Sequence, residues 1–298
     1  MKKFIIIIII IIIIIIYNKL YLKNSDIIKK PNKNLVYDFY NISLVCIYAY
    51  YEKDQMYKDN FTYFLENGIL DKVDYYIIIN GICSINIPNK SNITVLYREN
   101  KGYDFGAFSY AIKNIKKEYD YYFFLNTSVK GPLLKDNSRL WTDYFLELFN
   151  SPEIKLVGTS INIYPFSNFS KYNLDNIYNN NPPHTHIQSM FFCMNNEYYQ
   201  YLKKNNFFNE EELNDVIDFS YIIAYKEFGL SQLCLNNGWN INSILSKFRD
   251  IDYRKIKNDF NHSSRYGDPY FTDAYFGETI DPYDAIFFKV NRGIPFTL

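Results

Sequence analysis

The feature that most constrains the fold is an alternation of short, continuously apolar runs with longer amphipathic stretches. The apolar runs lack the in-out alternation of a half-solvated sheet and are typical of strands buried on both faces. They are ISLVCIYAY (42–50), YYIIIN (75–80), ITVLY (93–97) and YYFFL (121–125). Helical patterns cover about 54–69 and 106–117. Strands that alternate with helices indicate βαβ units, so we predict an α/β protein whose Rossmann-type, mostly parallel sheet is flanked by helices.

The second half of the chain continues this pattern less regularly. The segments with a clear pattern are predicted strands at 154–161 and 189–194 and predicted helices at 139–149, 196–203 and 220–236. An Asn-rich stretch, 166–185, shows no apolar period, and we expect a surface loop of the kind that often forms a lid. The tail from 248 onward is predicted to be irregular.

The N-terminus predicts a membrane segment. Residues 4–17 are apolar without a break, and 5–16 are all isoleucine. As a helix the segment would span about 21 Å, less than the roughly 30 Å of a hydrocarbon core, which fits a signal peptide. No small-residue cleavage site follows, so we favour an uncleaved signal anchor over a cleaved signal peptide. The predicted organisation is an anchor at 1–22, a stem at 23–36 and one domain at 37–298.

In either case the remainder of the chain would cross the membrane. We therefore expect a single-pass membrane protein whose domain is lumenal or extracytoplasmic, as in ER- or Golgi-like secretory membranes. N-x-S/T sequons agree with a glycoprotein, although an Asn-rich chain also generates them by chance. They begin at Asn41, Asn60, Asn89, Asn92, Asn168 and Asn261.

Composition excludes some classes of function. Thirty-two basic and thirty-two acidic residues cancel, so a nucleic-acid partner has no electrostatic support. The four cysteines lie far apart without a C-x-x-C pair, which favours buried free thiols over a zinc site, while a disulfide stays open. Hydrophobic residues make up 48% of the chain, enough for the core of one large domain.

The segment 95–129, VLYRENKGYDFGAFSYAIKNIKKEYDYYFFLNTSV, contains the first motif. It reads as a strand, an Asn100-x-Gly102 turn, a helix with small residues at its start, and a strand that ends in the polar triplet 126–128. Ligands of open α/β sheets bind at the carboxyl ends of strands, where this triplet lies.

This order of elements resembles the first half of glycosyltransferase family 2 domains, in which N-x-G opens a helix before a strand ending in D-x-D. It is more similar still to rhamnan-synthesis-type (RgpF-like) glycosyltransferases, whose pattern has N-x-G-x-D and then an N-D-S triplet followed by Gly-Pro. The matching residues here are Asn100, Gly102, Asp104, Asn126, Thr127, Ser128, Gly131 and Pro132.

Two further segments carry the resemblance. The stretch 226–239, KEFGLSQLCLNNGW, resembles the E-D helix of family 2 and places Glu227 at the position of the catalytic base. The stretch 186–192, HIQSMFF, looks like the H-x-Q-S strand of the rhamnan-synthesis group, with His186 and Gln188 in a donor or acceptor pocket. The resemblance covers about 40–290.

The resemblance implies a GT-A-like fold and transfer of a sugar from a nucleotide-sugar donor to a glycan or glycoprotein acceptor, with inversion. It implies that Glu227 is the base and that the donor side consists of Asn100, Gly102, Asp104, Asn126, Thr127 and Ser128.

The chain departs from the family pattern at the D-x-D aspartates, which normally hold a divalent metal. The triplet 126–128 offers neutral oxygens only. The alternatives are weak metal binding, metal-free binding of phosphates by Lys101, Arg98 or Lys130, or lost catalysis, and we favour the second. No cofactor is assigned, because the missing acids argue against Mn²⁺ or Mg²⁺.

The same residues also have simpler, purely structural interpretations. Glu227 would also suit a helix start, Asp104 a helix N-cap, and His184 with His186 lacks a third metal ligand. The alternative function is a non-catalytic, membrane-tethered carbohydrate-binding or structural protein with a degenerate GT-A fold. A hydrolase is set aside because no G-x-S-x-G motif is present.

Overall fold

The computed structural model describes residues 42–294. The predicted anchor and stem lie outside these residues, and so does the start of the predicted domain. Within 42–294, none of the helices has both the length and the apolar character needed to cross a membrane.

A mixed sheet of seven strands organises the described part of the chain. Its strands are β1 (Leu44–Tyr50), β2 (Val73–Asn80), β3 (Ile93–Arg98), β4 (Tyr121–Asn126), β6 (Ile154–Gly158), β11 (Phe191–Asn195) and β12 (Asn240–Ser243). They lie in the order β12-β6-β11-β4-β1-β2-β3. Strand β11 runs antiparallel to its two neighbours, and the other pairs are parallel. The α/β class and the mostly parallel sheet are therefore as predicted.

Three small strand pairs, eight α- or π-helical segments and two short 3-10 helices, Ser246–Phe248 and Tyr253–Lys255, complete the secondary structure of the described residues. The pairs join β5 (Val129–Lys130) to β13 (Phe288–Lys289), β7 (Ile161–Tyr164) to β10 (His184–Ile187), and β8 (Asn168–Phe169) to β9 (Tyr172–Asn173). The α-helices are α1 (Gln55–Asn67), α2 (Tyr103–Asn114), α3 (Trp141–Leu146), α4 (Leu174–Tyr178), α5 (Asn196–Lys204), α6 (Glu210–Asp215) and α8 (Pro282–Ala285). The segment we call α7 consists of Phe219–Tyr221, a π-helical Ile222–Glu227 and Phe228–Asn236.

The sheet is covered by helices on both faces because its side chains alternate. Tyr48 of β1 packs on Phe61 and Phe64 of α1, with ring centroids 5.0 and 4.8 Å apart. On the opposite face, Phe124 of β4 lies 5.3 Å from Phe108 of α2. Apolar residues at every strand position therefore find a helix to pack on, which explains the continuous apolar runs.

The strand order reverses beside β1. From β1 the chain moves to β2 and β3 on one side, and it then returns to place β4 on the other side. In open α/β sheets such a switch point opens a crevice at the carboxyl ends of the two strands. Here those ends are Tyr50 and Asn126.

Several predicted boundaries shift. Helix α2 starts at Tyr103 and not at 106, helix α3 is shorter than 139–149, and the predicted strand 154–161 breaks into β6 and β7. These differences arise at helix ends and at a bend, where the sequence pattern is weakest.

The prediction of a structureless surface loop at 166–185 is wrong. The stretch contains β8, β9, α4 and the start of β10. Leu174 and Tyr178, four residues apart, are buried against Ala224 and Phe228 of α7. Two apolar residues are too few to produce a recognisable helical pattern in the sequence. They form the buried face of helix α4 because α7 packs against them.

Two of the sequons are closed to glycosylation in the folded chain. Asn60 is 2% exposed and donates from Nδ2 to the carbonyl oxygen of Thr127. Asn261 is 1% exposed and donates to the carbonyl oxygen of Ala274. The four cysteines are free, and Cys83 is the least buried of them.

Candidate active site

A cavity of about 690 Å³ lies at the switch point, beyond the carboxyl ends of β1 and β4. It brings together residues from the three sequence segments that resemble the glycosyltransferases. The predicted site residues that line it are Asn100, Asp104, Asn126, Thr127, Ser128, His186, Gln188 and Glu227. Residues more than 120 positions apart in the chain thus line one cavity.

Gly102 is the predicted donor-side residue that does not line this cavity. It is buried, and its backbone is left-handed, with φ of 66°. A Cβ atom there would lie 2.3 Å from the carbonyl oxygen of Leu213. The close approach that demands a glycine here is therefore to helix α6.

Asp104 and the triplet form one hydrogen-bonded unit. Asn126 donates from Nδ2 to Oδ2 of Asp104 at 2.9 Å. The other end of the same amide, Oδ1, accepts from the backbone N–H of Ser128 at 2.9 Å and from its hydroxyl at 2.6 Å. Burial raises the pKa of Asp104 to about 6; the Asn126 hydrogen bond opposes this rise, and the charge of Glu227 adds to it.

This donor set does not fit a divalent metal. Both lone pairs of Asn126 Oδ1 are occupied by Ser128, and Mn²⁺ or Mg²⁺ requires several free, preferably charged, oxygen ligands. Asp104 supplies the carboxylate nearest to the triplet, and its oxygens already accept hydrogen bonds from Asn126 and from the Phe105 N–H. Within residues 42–294 no cluster of three His, Cys, Asp or Glu side chains could hold a metal ion.

Glu227 is presented by an unusual helix. It is the last residue of the π-helical part of α7, and π-turns inside α-helices frequently occur at functional sites. Its Oε2 accepts from the Ser189 hydroxyl and, at 3.3 Å, from the Ser189 N–H. Its Oε1 lies 3.5 Å from Nε2 of His186. Lys226 points to the other side of the helix, where its Nζ lies 3.0 Å from the carbonyl oxygen of Phe207.

The charges around Glu227 decide its protonation. Burial alone would raise the pKa of Glu227, but the hydrogen bond and charge of His186, the charge of Lys289 and the Ser189 hydroxyl more than offset burial. The result is a pKa lowered to about 2. Glu227 is therefore a carboxylate at physiological pH, whereas the pKa of Asp104, about 6, lies close to physiological pH.

Basic residues of the cavity come from the C-terminal tail, which the sequence analysis left without a role. Lys289, Arg292 and Arg265 line the cavity wall. Strand β13 pairs with β5, placing Lys289 opposite Val129 directly after the triplet. Arg292 donates to Asp268 at 3.1 Å.

The cations proposed from the sequence do not line the cavity. Arg98 is held by Asn80, Asn214 and the Lys101 carbonyl, Lys101 pairs with the exposed Glu99, and Lys130 lies over the Tyr63 ring. Lys130 points away although it adjoins the triplet, since successive strand residues face opposite sides. No local signal marks Lys289, because its place depends on pairing between β5 and β13 across more than 150 residues.

Gln188 has a structural partner in the cavity wall. Its Oε1 accepts from the Ser160 hydroxyl at 2.6 Å, and the residue is 3% exposed. This bond ties β10 to the bend between β6 and β7 and so holds the strand that carries His186.

Comparison of the sequence matches no protein-family model and no curated protein. Solved structures with a partial likeness of backbone arrangement include a mannosyltransferase from Pyrobaculum calidifontis in complex with GDP-Man and Mn²⁺, with TM-score 0.44, 10% identity and 75% of this chain covered. The chain spans 61% of the length of that mannosyltransferase.

Two other structures show a weaker likeness. One is a glycosyltransferase involved in glycosylation of the major capsid of PBCV-1, with TM-score 0.33, 10% identity, and 61% of this chain and 74% of that chain covered. The other is the galactosyltransferase LgtC in complex with donor and acceptor sugar analogs, with TM-score 0.35, 11% identity, and coverage of 62% and 72%.

Proposed function

We propose that the protein is a glycosyltransferase that moves a sugar from a nucleotide-sugar donor to a glycan or glycoprotein acceptor, with inversion. The observation that supports this most is the convergence of the three motif segments on one cavity at the switch point. Segments 95–129, 186–192 and 226–239 are separate motifs in the sequence, and each contributes residues to the lining of the same cavity.

On the donor side, Asn100, Asp104 and Ser128 would hold the nucleotide and sugar hydroxyls. The diphosphate would lie against Lys289 and Arg292, whose positive charges stabilise the leaving group as its negative charge develops. This assignment supports metal-independent transfer, and it replaces the basic residues first considered with ones that line the cavity.

Glu227 would accept the proton of the acceptor hydroxyl as that oxygen attacks the anomeric carbon. A general base works best when its pKa lies near the operating pH. The positive charge of Lys289 helps to lower the pKa of Glu227, and a bound diphosphate would compensate that charge. We therefore infer that donor binding raises the basicity of Glu227.

The membrane segment at 4–17 supports a tethered enzyme whose cavity lies outside the cytosol. This part of the proposal rests on the sequence alone. Protease protection of the full-length chain in sealed microsomes would test it, since a cytosolic domain would be digested without detergent.

Thermal shift of the full-length chain with a panel of nucleotide sugars, with and without Mn²⁺, tests the donor site. A ligand that binds the folded state alone raises its stability, by about 2.7 kcal/mol at a hundredfold excess over Kd. We expect one nucleotide sugar to raise the melting temperature without metal. The absence of any shift under all metal conditions would rule the proposal out.

One observation favours the non-catalytic alternative. Both oxygens of Glu227 are engaged, one by His186 and one by Ser189, as they would be in a purely structural ion pair. Turnover separates the two functions, because a binding protein would show the thermal shift and no transfer.

A further inference from the structure

Two tight turns in the C-terminal tail have the same construction. Arg265–Asp268 and Tyr275–Glu278 are each closed by a pair of backbone hydrogen bonds, and each has an aromatic residue followed by glycine at the centre. The central residues have positive φ, 51° at Tyr266 and 54° at Phe276. Such turns normally carry Asn, Asp or Gly, because a left-handed backbone costs other residues about 1–2 kcal/mol.

Packing explains the aromatic residue of one turn and not of the other. Phe276 is half-buried, and its ring lies 5.4 Å from that of Phe248 and 5.9 Å from that of Phe260, so packing against the core offsets its backbone strain. Tyr266 is 73% exposed, and its ring pairs at 6.0 Å with Phe166, which is itself 48% exposed. Backbone strain that is not offset by packing is found chiefly at functional sites.

Tyr266 ends a row of aromatic rings that begins beside Glu227. The ring of Phe228, the residue after Glu227, lies 5.2 Å from Tyr164; Tyr164 lies 5.5 Å from Phe166, and Phe166 lies 6.0 Å from Tyr266. Phe228 is buried at 1% exposed, whereas Phe166 and Tyr266, at the other end of the row, lie at the surface. There a second cleft, of about 570 Å³, shares Arg265 and Tyr266 with the main cavity.

Polar groups border the outer end of this row. Asp259, Ser264 and Arg265 line the second cleft together with Phe166 and Tyr266. A sugar ring has an apolar C–H face that stacks on aromatic rings and a rim of hydroxyls that need hydrogen-bond partners. An alkyl chain cannot form hydrogen bonds with these polar groups, whereas sugar hydroxyls can.

We propose that Tyr164, Phe166 and Tyr266 form the binding surface for an oligosaccharide acceptor, with its reacting end at Glu227 and a distal sugar on Tyr266. The inference rests on the proposed transfer reaction and adds that the acceptor is a chain of sugars, longer than a monosaccharide. Asn100 and Asp104, which also line the cavity, are left to the donor.

The test uses the full-length chain and an immobilised panel of defined mono-, di- and trisaccharides of common hexoses, with unglycosylated peptides as a second arm. Tyr266→Asn removes the ring and suits the left-handed turn, whereas Tyr266→Trp keeps an aromatic face. Tyr97→Asn is the matched control, since Tyr97 is 61% exposed on β3 and lines neither cleft.

We expect Tyr266→Asn to weaken trisaccharide binding by about 5- to 10-fold and monosaccharide binding by less than about twofold, consistent with one aromatic contact. Tyr266→Trp and Tyr97→Asn should bind like the wild type. The inference is overturned if Tyr266→Asn binds trisaccharides as well as the wild type does, or if it loses mono- and trisaccharide binding equally. It is also overturned if the wild-type protein binds only the peptides or binds none of the oligosaccharides.

The nucleotide-sugar thermal shift separates this inference from the proposed function. If a nucleotide sugar raises the melting temperature but the oligosaccharide test fails, the proposed acceptor surface is refuted and the proposed transferase function is not. If oligosaccharides bind but no nucleotide sugar raises the melting temperature, the aromatic residues are supported as a binding surface and the proposed transferase function is refuted.

Discussion

Nε2 of His186 lies 3.5 Å from Oε1 of Glu227, while Nδ1 of the same ring lies 3.0 Å from the carbonyl oxygen of His184. A carbonyl oxygen only accepts, so Nδ1 carries a proton. The Ser189 hydroxyl donates to the other oxygen of Glu227, whose pKa is lowered to about 2. His186 therefore faces the Glu227 carboxylate through Nε2, in an orientation held by the hydrogen bond from Nδ1–H to the His184 carbonyl oxygen.

The contact between His186 and Glu227 predicts the pH profile of a His186→Phe variant. Phe keeps the ring packing on Phe228 but removes the charge and the hydrogen bond that lower the pKa of Glu227. Burial is then no longer offset by His186, so the pKa of Glu227 rises from about 2. In rate measurements from pH 4 to 8, the variant should lose activity toward acid pH where the wild type does not. Superimposable profiles would show that His186 does not control Glu227.

Replacing Glu227 by Gln should separate donor binding from chemistry. The amide keeps the size of the side chain but cannot take a proton, so transfer should fall by about 10²- to 10⁴-fold. The nucleotide-sugar thermal shift should remain. Glu212→Gln is the control, because Glu212 pairs with Lys226 outside the cavity. Undiminished transfer by Glu227→Gln would remove Glu227 from the mechanism.

Lys289→Met should weaken nucleotide-sugar binding in the absence of metal. A charge-assisted contact to the diphosphate contributes about 1.5–3 kcal/mol, so Kd should rise about 10- to 100-fold in calorimetric titration. Lys130→Met provides the matched control, because Lys130 belongs to the strand that pairs with β13 but lies over Tyr63. If both variants bind like the wild type, the diphosphate does not lie against Lys289.

Asp104→Asn should change stability in a pH-dependent way. The pKa of Asp104 is raised to about 6 in the folded chain. The protonated side chain therefore contributes to the free energy of unfolding in full below the pKa of Asp104 in the unfolded chain, and this contribution is lost as pH rises through about 6. The neutral amide avoids that loss and still accepts from Asn126. Urea unfolding should show an advantage for the variant that grows between pH 4 and 7, to the order of 2–3 kcal/mol. An advantage that stays constant across this range would contradict the assignment.

Gly102→Ala should destabilise the fold. The left-handed φ of 66° is unfavourable for alanine, and its Cβ would lie 2.3 Å from the Leu213 carbonyl oxygen. We expect a loss of about 2 kcal/mol or more in urea unfolding. Gly238→Ala is the comparison, since its φ of 79° is equally unfavourable but no atom lies within 4 Å of the added Cβ. Equal losses at the two positions would mean that contact with Leu213 is unimportant.

The sequence by itself determined the α/β class, the first four strands of the sheet and the residues of the three motifs. Side-chain burial on both faces of a parallel strand requires an unbroken apolar run, and 42–50 and 121–125 show such runs without any tertiary information. The site residues on these elements followed, because parallel strands bring their carboxyl ends to one edge.

Only the tertiary structure decided which cations face the cavity, why Gly102 is a glycine and how Glu227 is charged. Lys289 reaches the triplet through pairing of β13 with β5, and Gly102 meets a helix more than 100 residues away. The pKa of Glu227 depends on His186, Ser189 and Lys289 together. Such contacts join residues distant in the chain, and local periodicity contains no information about them, because it reflects only the burial of neighbouring positions.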